Sequence, residues 1–175
     1  MLKPAILVDH IWWERAVPKA ETVIKQALAA ALAESGCADL LRRRVCHVAV
    51  SLADDARLHE LNRTWRGKDK PTNVLSFPQY ADAKALAGAP KGVPMELGDI
   101  VLAWETVAAE AACSYKPLAA HLAHLTAHGM LHLLGFDHEQ DRAASRMRGA
   151  EIRALRVLGW PDPYRILHPP KRRRA

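Results

Sequence analysis

The residues best suited to chemistry lie between His128 and Asp141, in the run HGMLHLLGFDHEQD. His128 and His132 are four positions apart, about one helical turn, so a helix there puts both imidazoles on one face. Gly135 follows. A glycine takes a positive φ without steric penalty and so can end that helix. Beyond the turn the chain presents His138. Three neutral imidazoles suit one zinc ion and leave its fourth position open for water, whereas a structural site is normally closed by a fourth protein ligand. His121 and His124 lie on the same helical stripe, and His124 with His128 forms a rival pair at the same spacing. That choice leaves the Gly135 turn without a purpose. His128, His132 and His138 are therefore the expected ligands, and His121 and His124 are groups behind them or partly exposed polar residues.

An open zinc site points to hydrolysis. The three histidines and Gly135 also fit the metzincin protease pattern, HExxHxxGxxH, with one departure. Gly129 stands where those proteases carry the general-base glutamate, so the usual activation of water against a peptide bond is missing. Asp137 and Glu139 are near in sequence, but not on the helical turn that would aim them in the same way. A peptidase would need a carboxylate from elsewhere.

A phosphodiester makes different demands. Negative charge develops on phosphoryl oxygens, and a metal ion with a fixed cation can stabilise it. Metal binding can also bring the pKa of water from 15.7 to about 7, which removes the need for a separate carboxylate base. The run LNRTWRGKDKPTNVLSF, Leu61 to Phe77, supplies cations at Arg63, Arg66, Lys68 and Lys70, with Gly67 and Pro71 bending the chain. On charge alone this is a solvated basic loop.

These groups must be held by a fold, and the chain predicts its elements as follows. Strands are expected at Ala5–Asp9, Val45–Leu52, Thr72–Phe77 and Asp99–Ala103, each short and apolar or β-branched. Helices are expected at Lys19–Glu34, Asp54–Trp65, Glu105–Ala112, Leu118–Leu134 and Asp141–Leu158. Tyr80–Pro94 is rich in Ala, Gly, Pro and Lys without a clear period and reads as a mobile loop. Strands and helices mix without strict alternation, which indicates α+β, or α/β with a small mixed sheet. There is no internal repeat and no second-domain boundary. Residues 1–167 are expected to form one domain, followed by a basic tail at 168–175.

The whole chain agrees with such a protein. Its 175 residues suffice for one domain with a sizeable core. The net charge is +6 and the pI about 9.5, which favours polyanions such as RNA or DNA. Cys37, Cys46 and Cys113 are odd in number and lack CxxC spacing, so neither a disulfide framework nor a cysteine zinc site is expected. The N-terminal residues lack a signal-peptide pattern, and the most apolar run, Ala27 to Ala33, is far shorter than the ~20 residues that span a bilayer. A reduced, cytoplasmic protein with no membrane contact is expected.

Several separated segments together resemble one family, the bacterial rRNA maturation factor and endoribonuclease YbeY. HGMLHLLGFDH is similar to that family's metal motif HGxLHLxGyDH. LNRTWRGKDKPTNVLSFP is similar to its LNxxYRxxdxpTDVLSFP. Leu97-Gly98-Asp99-Ile100 resembles its LGDI strand, and Gly159 to Tyr164 its closing segment. The likeness runs from about Val45 to Tyr164. It implies an α+β fold, a small mixed β-sheet packed with helices, and a three-histidine metal site at the end of a cleft. It implies one Zn(2+) ion on His128, His132 and His138, with Arg66 as the cleft arginine that contacts phosphate or the transition state. It further implies a single-strand-specific endoribonuclease acting on 16S rRNA precursor near its 3′ end, with the small ribosomal subunit and ribosome-associated proteins as partners, in late maturation and ribosome quality control. A zinc-dependent peptidase and a non-catalytic, zinc-stabilised ribosome assembly factor are the alternatives. Trp65 replaces the more usual Tyr or Phe, and Asn73 a common Asp. The resemblance does not extend to Tyr80–Pro94 or to His168–Ala175.

Overall fold

The computed structural model describes residues 1–137 and 140–165. The elements run β1 (Leu2–Val8), α1 (Ile11–Ala16), α2 (Ala20–Glu34), α3 (Ala38–Leu41), β2 (Cys46–Ala53), α4 (Asp55–Arg66), β3 (Val74–Pro78), α5 (Ala83–Gly88), β4 (Met95–Ala103), α6 (Trp104–Cys113), α7 (Leu118–Leu133) and α8 (Asp141–Val157). Four strands form one sheet in the order β1-β2-β4-β3. β1, β2 and β4 are parallel, and β3 lies antiparallel on the edge, with Val74 opposite Leu102 and Pro78 opposite Gly98. The expected α+β domain with a small mixed sheet is therefore what the chain forms.

Side chains alternate across the sheet as a pleat requires. Val48, Val50 and Leu52 of β2, with Ile100 and Leu102 of β4, face the main core, which α2, α7 and α8 complete through Ile24, Leu28, Leu122, Met130, Met147 and Leu155. Burying a side chain of this size contributes about 1.5–3 kcal/mol before chain entropy is set against it. On the other face, Ala53, Leu75 and Ala103 pack against Leu58 of α4 in a smaller cluster. Trp13 of α1 is fully buried, and its indole N–H donates to the Ala53 carbonyl at 2.9 Å, tying the N-terminal region to the end of β2.

Two expectations change. Residues 80–94 are not an irregular loop: Ala83–Gly88 forms α5, capped by Asp82, whose carboxylate accepts from the Ala85 N–H at 2.7 Å. Leu86, fully buried, anchors this helix to the main core, and its Ala, Lys and Leu residues are good helix formers. β4 begins at Met95 rather than Asp99. Its register with β2 slips at His47/Val48, so that Leu97 is an extra residue before Gly98. Gly98 there adopts φ +129, where a Cβ would lie 2.1 Å from the Phe77 carbonyl oxygen. Such a bulge breaks the alternation by which a strand is read. α1 and α3, of six and four residues, are too short to show a helical period.

Candidate metal centre

Helix α7, the most buried helix among the described residues, carries His121, His124, His128 and His132. Eleven of its sixteen residues are buried, including Gly129, where a Cβ would stand 2.9 Å from Ile100 Cγ2 and 3.1 Å from Ser76 Oγ. The helix thus lies directly on β4 and β3 at this point. A glutamate at 129 would point into the sheet, so the helical position that supplies the base in metzincin proteases is closed here by packing. Gly135 ends the helix at φ +82. Its N–H bonds the His132 carbonyl at 3.0 Å, and the Phe136 N–H bonds the Leu131 carbonyl at 3.0 Å, the paired arrangement of a Schellman cap. A side chain at 135 would also meet Ala83 N at 2.6 Å, so the turn abuts the start of α5.

His128 and His132 come together as the four-residue spacing predicts. Their Nε2 atoms are 3.1 Å apart, with the rings nearly perpendicular at 81°. Each ring is fixed from behind. His132 Nδ1 is 3.0 Å from the Phe136 carbonyl oxygen, which can only accept, so Nδ1 carries the proton. His128 Nδ1 is 2.7 Å from Glu151 Oε1 and donates to that carboxylate. With both Nδ1 atoms protonated, the two Nε2 atoms turn lone pairs toward one another. Such a contact repels unless a proton or a cation lies between the nitrogens. Two imidazoles on a tetrahedral zinc, at Zn–N of about 2.0–2.1 Å, have their nitrogens about 3.3 Å apart. The pair has the spacing, tautomer and chemistry to be two ligands of one such ion. His138 lies outside the described residues, and among the described residues no group of three or more metal-binding side chains converges.

Glu151 of α8 is the residue sequence reading missed. It has no exposed surface. Besides His128, it accepts from His124 Nε2 at 3.4 Å and from the Tyr164 hydroxyl. Burial alone pushes its carboxyl up, but the hydrogen bonds from His124, His128 and Tyr164 outweigh burial and bring it down to about 2. The same contact, with burial as the larger cause, raises the Tyr164 hydroxyl well above its ordinary range. A signal was available in the sequence: Glu151 is the one acid on the otherwise apolar stripe Met147, Ala150, Ala154, Leu155 of α8. His124 therefore sits behind the pair, and a buried carboxylate that orients a histidine is a usual companion of metal ligands.

His121 belongs to a different network. Its Nε2 is 2.8 Å from Glu110 Oε2, and Glu110 also accepts from Asn73 Nδ2 at 3.0 and 3.1 Å. Asn73 in turn accepts from the Val74 N–H at 2.7 Å. An Asp at position 73 would set a second carboxylate against Glu110, which gives Asn73 its physical reason. Arg66 ends α4, exposed, followed by Gly67 at φ 63. The basic loop after it is not merely solvated chain. Asn62, buried, donates to the Lys70 carbonyl at 2.7 Å, and His59 pairs with Asp69 at 2.7 Å. Trp65 beside it is 70% exposed and meets Phe77 edge-on at 6.3 Å.

A helix-borne imidazole pair backed by a buried carboxylate, on a small mixed sheet, defines a candidate metallohydrolase of α+β type. The comparisons with known proteins make the class specific. The family model described as Endoribonuclease YbeY matches residues 10–159. The Endoribonuclease YbeY of Paramagnetospirillum magneticum is 47% identical over 152 residues, covering 87% of this chain and 89% of that protein. That of Azorhizobium caulinodans is 47% identical over 162 residues, covering 92% and 95%. A solution structure from Thermotoga maritima, TM1509, shares the fold at a TM-score of 0.54 and 20% identity, covering 93% of this chain and 99% of that one. The chain belongs to the YbeY endoribonuclease family. Among the described residues, no helix is long and apolar enough to cross a membrane.

Proposed function

We propose that this chain is a single-strand-specific, zinc-dependent endoribonuclease that acts in the cytoplasm on the 3′ end of 16S rRNA precursor, in late maturation and quality control of the small ribosomal subunit. The observation that carries the reading is the His128–His132 pair, whose Nε2 atoms meet at 3.1 Å while Glu151 and the Phe136 carbonyl hold their Nδ1 protons. His128, His132 and His138 would hold the ion. When bound, zinc supplies Lewis-acid polarisation of a phosphoryl oxygen and a lowered pKa for water.

The remaining work falls to side chains of this protein. Arg66, the last residue of α4, grips the phosphate and offsets charge developing on its oxygens. Glu151 keeps the His128 proton on Nδ1, and with it the lone pair on Nε2. The basic balance of the chain, +6 overall, with Lys68 and Lys70 next to Arg66, draws in RNA by salt-sensitive contacts. Names of relatives support an RNA substrate, since the proteins that match over most of the chain are called endoribonucleases. The peptidase alternative is disfavoured by a specific contact: Gly129 has its Cβ direction filled by Ile100 and Ser76, so no carboxylate can act from there.

The test is cleavage of a labelled RNA bearing the 3′ end of small-subunit rRNA by zinc-loaded protein, beside a folded His132→Ala control. Cleavage by the first and not the second is expected. No cleavage by either, with zinc confirmed by elemental analysis, would overturn the nuclease reading in favour of a non-catalytic assembly factor.

A further inference from the structure

The segment for which the family resemblance gives no role, residues 80–94, builds one wall of a basic cleft. Arg44, just before β2, donates from its guanidinium to the carbonyl oxygens of Ala89 and Pro90, each at 3.0 Å, and lies 3.1 Å from Met95 Sδ. The Met95 N–H bonds the Val45 carbonyl at 2.8 Å. Together with buried Leu86 and Ala89, these contacts fasten the segment to the end of the sheet. Between it and the α3–β2 connection lies a cleft of about 730 Å³, lined by Arg42, Arg43, Arg44, Ala87 and Lys91 among others. Arg42, Arg43 and Lys91 are exposed. Their side chains make no ion pair among the described residues, in contrast to Lys25 with Glu21 or Arg153 with Glu34. Asp39 is the one carboxylate among the described residues of the lining. Several cations around one concavity, held apart by a fixed scaffold, attract a polyanion rather than one another.

The cleft is also connected to the histidine helix. The turn at Gly135, three residues after His132, abuts Asp82 and Ala83, where α5 starts, and the cleft begins at Ala87 near the other end of that helix. Six residues of α-helix span about 9 Å. A single strand lying from the histidines to the cleft would extend over a few nucleotides, within the site sizes of roughly 4–16 nucleotides common for single-strand binders. We infer that Arg42, Arg43 and Lys91 form a second phosphate-binding site, which holds the backbone of the RNA strand away from the cleaved bond. The inference rests on the RNA-substrate reading above. It assigns the 80–94 segment a purpose: lengthening the footprint on RNA without touching the reacting centre.

The test compares the whole protein with the variant Arg42→Gln/Arg43→Gln/Lys91→Gln, and with a control of equal charge change on other elements, Arg15→Gln/Lys19→Gln/Arg156→Gln. Folding of each is checked by circular dichroism. Binding of a fluorescent 20-nucleotide single-stranded RNA is followed against salt. Three lost phosphate contacts should reduce the slope of log K against log salt by about 2, and weaken binding roughly tenfold near physiological salt. The control should keep the wild-type slope. An unchanged slope in the cleft variant overturns the inference, as does an equal fall in both variants, which would make the effect one of net charge. Capture of an acidic polypeptide by this face with RNA binding intact also overturns it. Failure of the unaltered protein to bind RNA at all is distinguishable from these outcomes, because it overturns the substrate reading itself.

Discussion

Glu151 accepts the His128 Nδ1 proton at 2.7 Å while fully shielded from water. A buried carboxylate that serves one imidazole so closely fixes which nitrogen of that ring can bind an electrophile. Glu151→Gln keeps the shape and removes the charge. Zinc affinity should fall roughly 10- to 100-fold, measured by competition with a chromogenic chelator. Unchanged affinity in a folded variant would show that Glu151 orients no ligand.

Arg66 stands apart from that network, exposed at the end of α4. Arg66→Ala should lower kcat/KM for RNA by about 100-fold, as loss of one transition-state donor does, with zinc content unchanged. Arg66→Lys should recover only part, because an ammonium lacks the planar fork that grips two phosphate oxygens. Zinc loss in the alanine variant would refute a role in phosphate contact.

Close approach of α7 to the sheet makes Gly129 sensitive to size. Gly129→Ala must displace the Ile100 side chain, whose Cγ2 and Cδ1 would lie 2.9 and 3.0 Å from the new methyl. Overpacking of this kind costs about 1–3 kcal/mol, and the melting temperature should fall by roughly 3–10 °C. Gly129→Glu should not yield folded protein, and so cannot restore a protease-like base.

The His121 imidazolium is pushed down by burial, which outweighs the opposing hydrogen bond to Glu110. With Nε2 committed to Glu110, a second proton on Nδ1 would be buried without a hydrogen-bond partner among the described residues. A histidine pKa lower in the folded than in the unfolded chain makes the unfolded state bind more protons, so stability is full above pH 6.5 and lost as pH falls below it. The protein's resistance to urea unfolding should fall below pH 6.5, by at most about 1.4 kcal/mol per pH unit from this residue. His121→Gln should flatten that part of the profile. An identical profile in the variant would assign the acid sensitivity to other groups.

What the sequence disclosed depended on whether a feature had a period or a motif. The His128–His132 pair was legible because four residues make one helical turn, and α7, α2 and α8 were legible by the same rule. Asp54 and Gly67 bracket α4 as cap residues should. The partition of the four histidines of α7 into separate networks was not legible. His121 and His124 share a stripe with the pair, and only the placement of Glu110 and Glu151 on neighbouring helices sends them to separate networks. α5 escaped because, despite its good helix formers, it is only six residues long and is followed by Pro90, too short to show a period. The expected third ligand, His138, and the expected tail at 168–175 lie outside the described residues.

The burial of α7 has a thermodynamic corollary. The backbone that carries its histidines is placed by Leu122, Met130 and Leu131 in the core and by a cap made of backbone hydrogen bonds. Little of the free energy of metal binding is then diverted into ordering the chain, in contrast to small domains that fold only around their zinc. On the proposed zinc reading, occupancy would vary with the supply of metal while the scaffold persists. Zinc binding to such a scaffold would add to the stability of the folded chain by mass action and would not be required for folding.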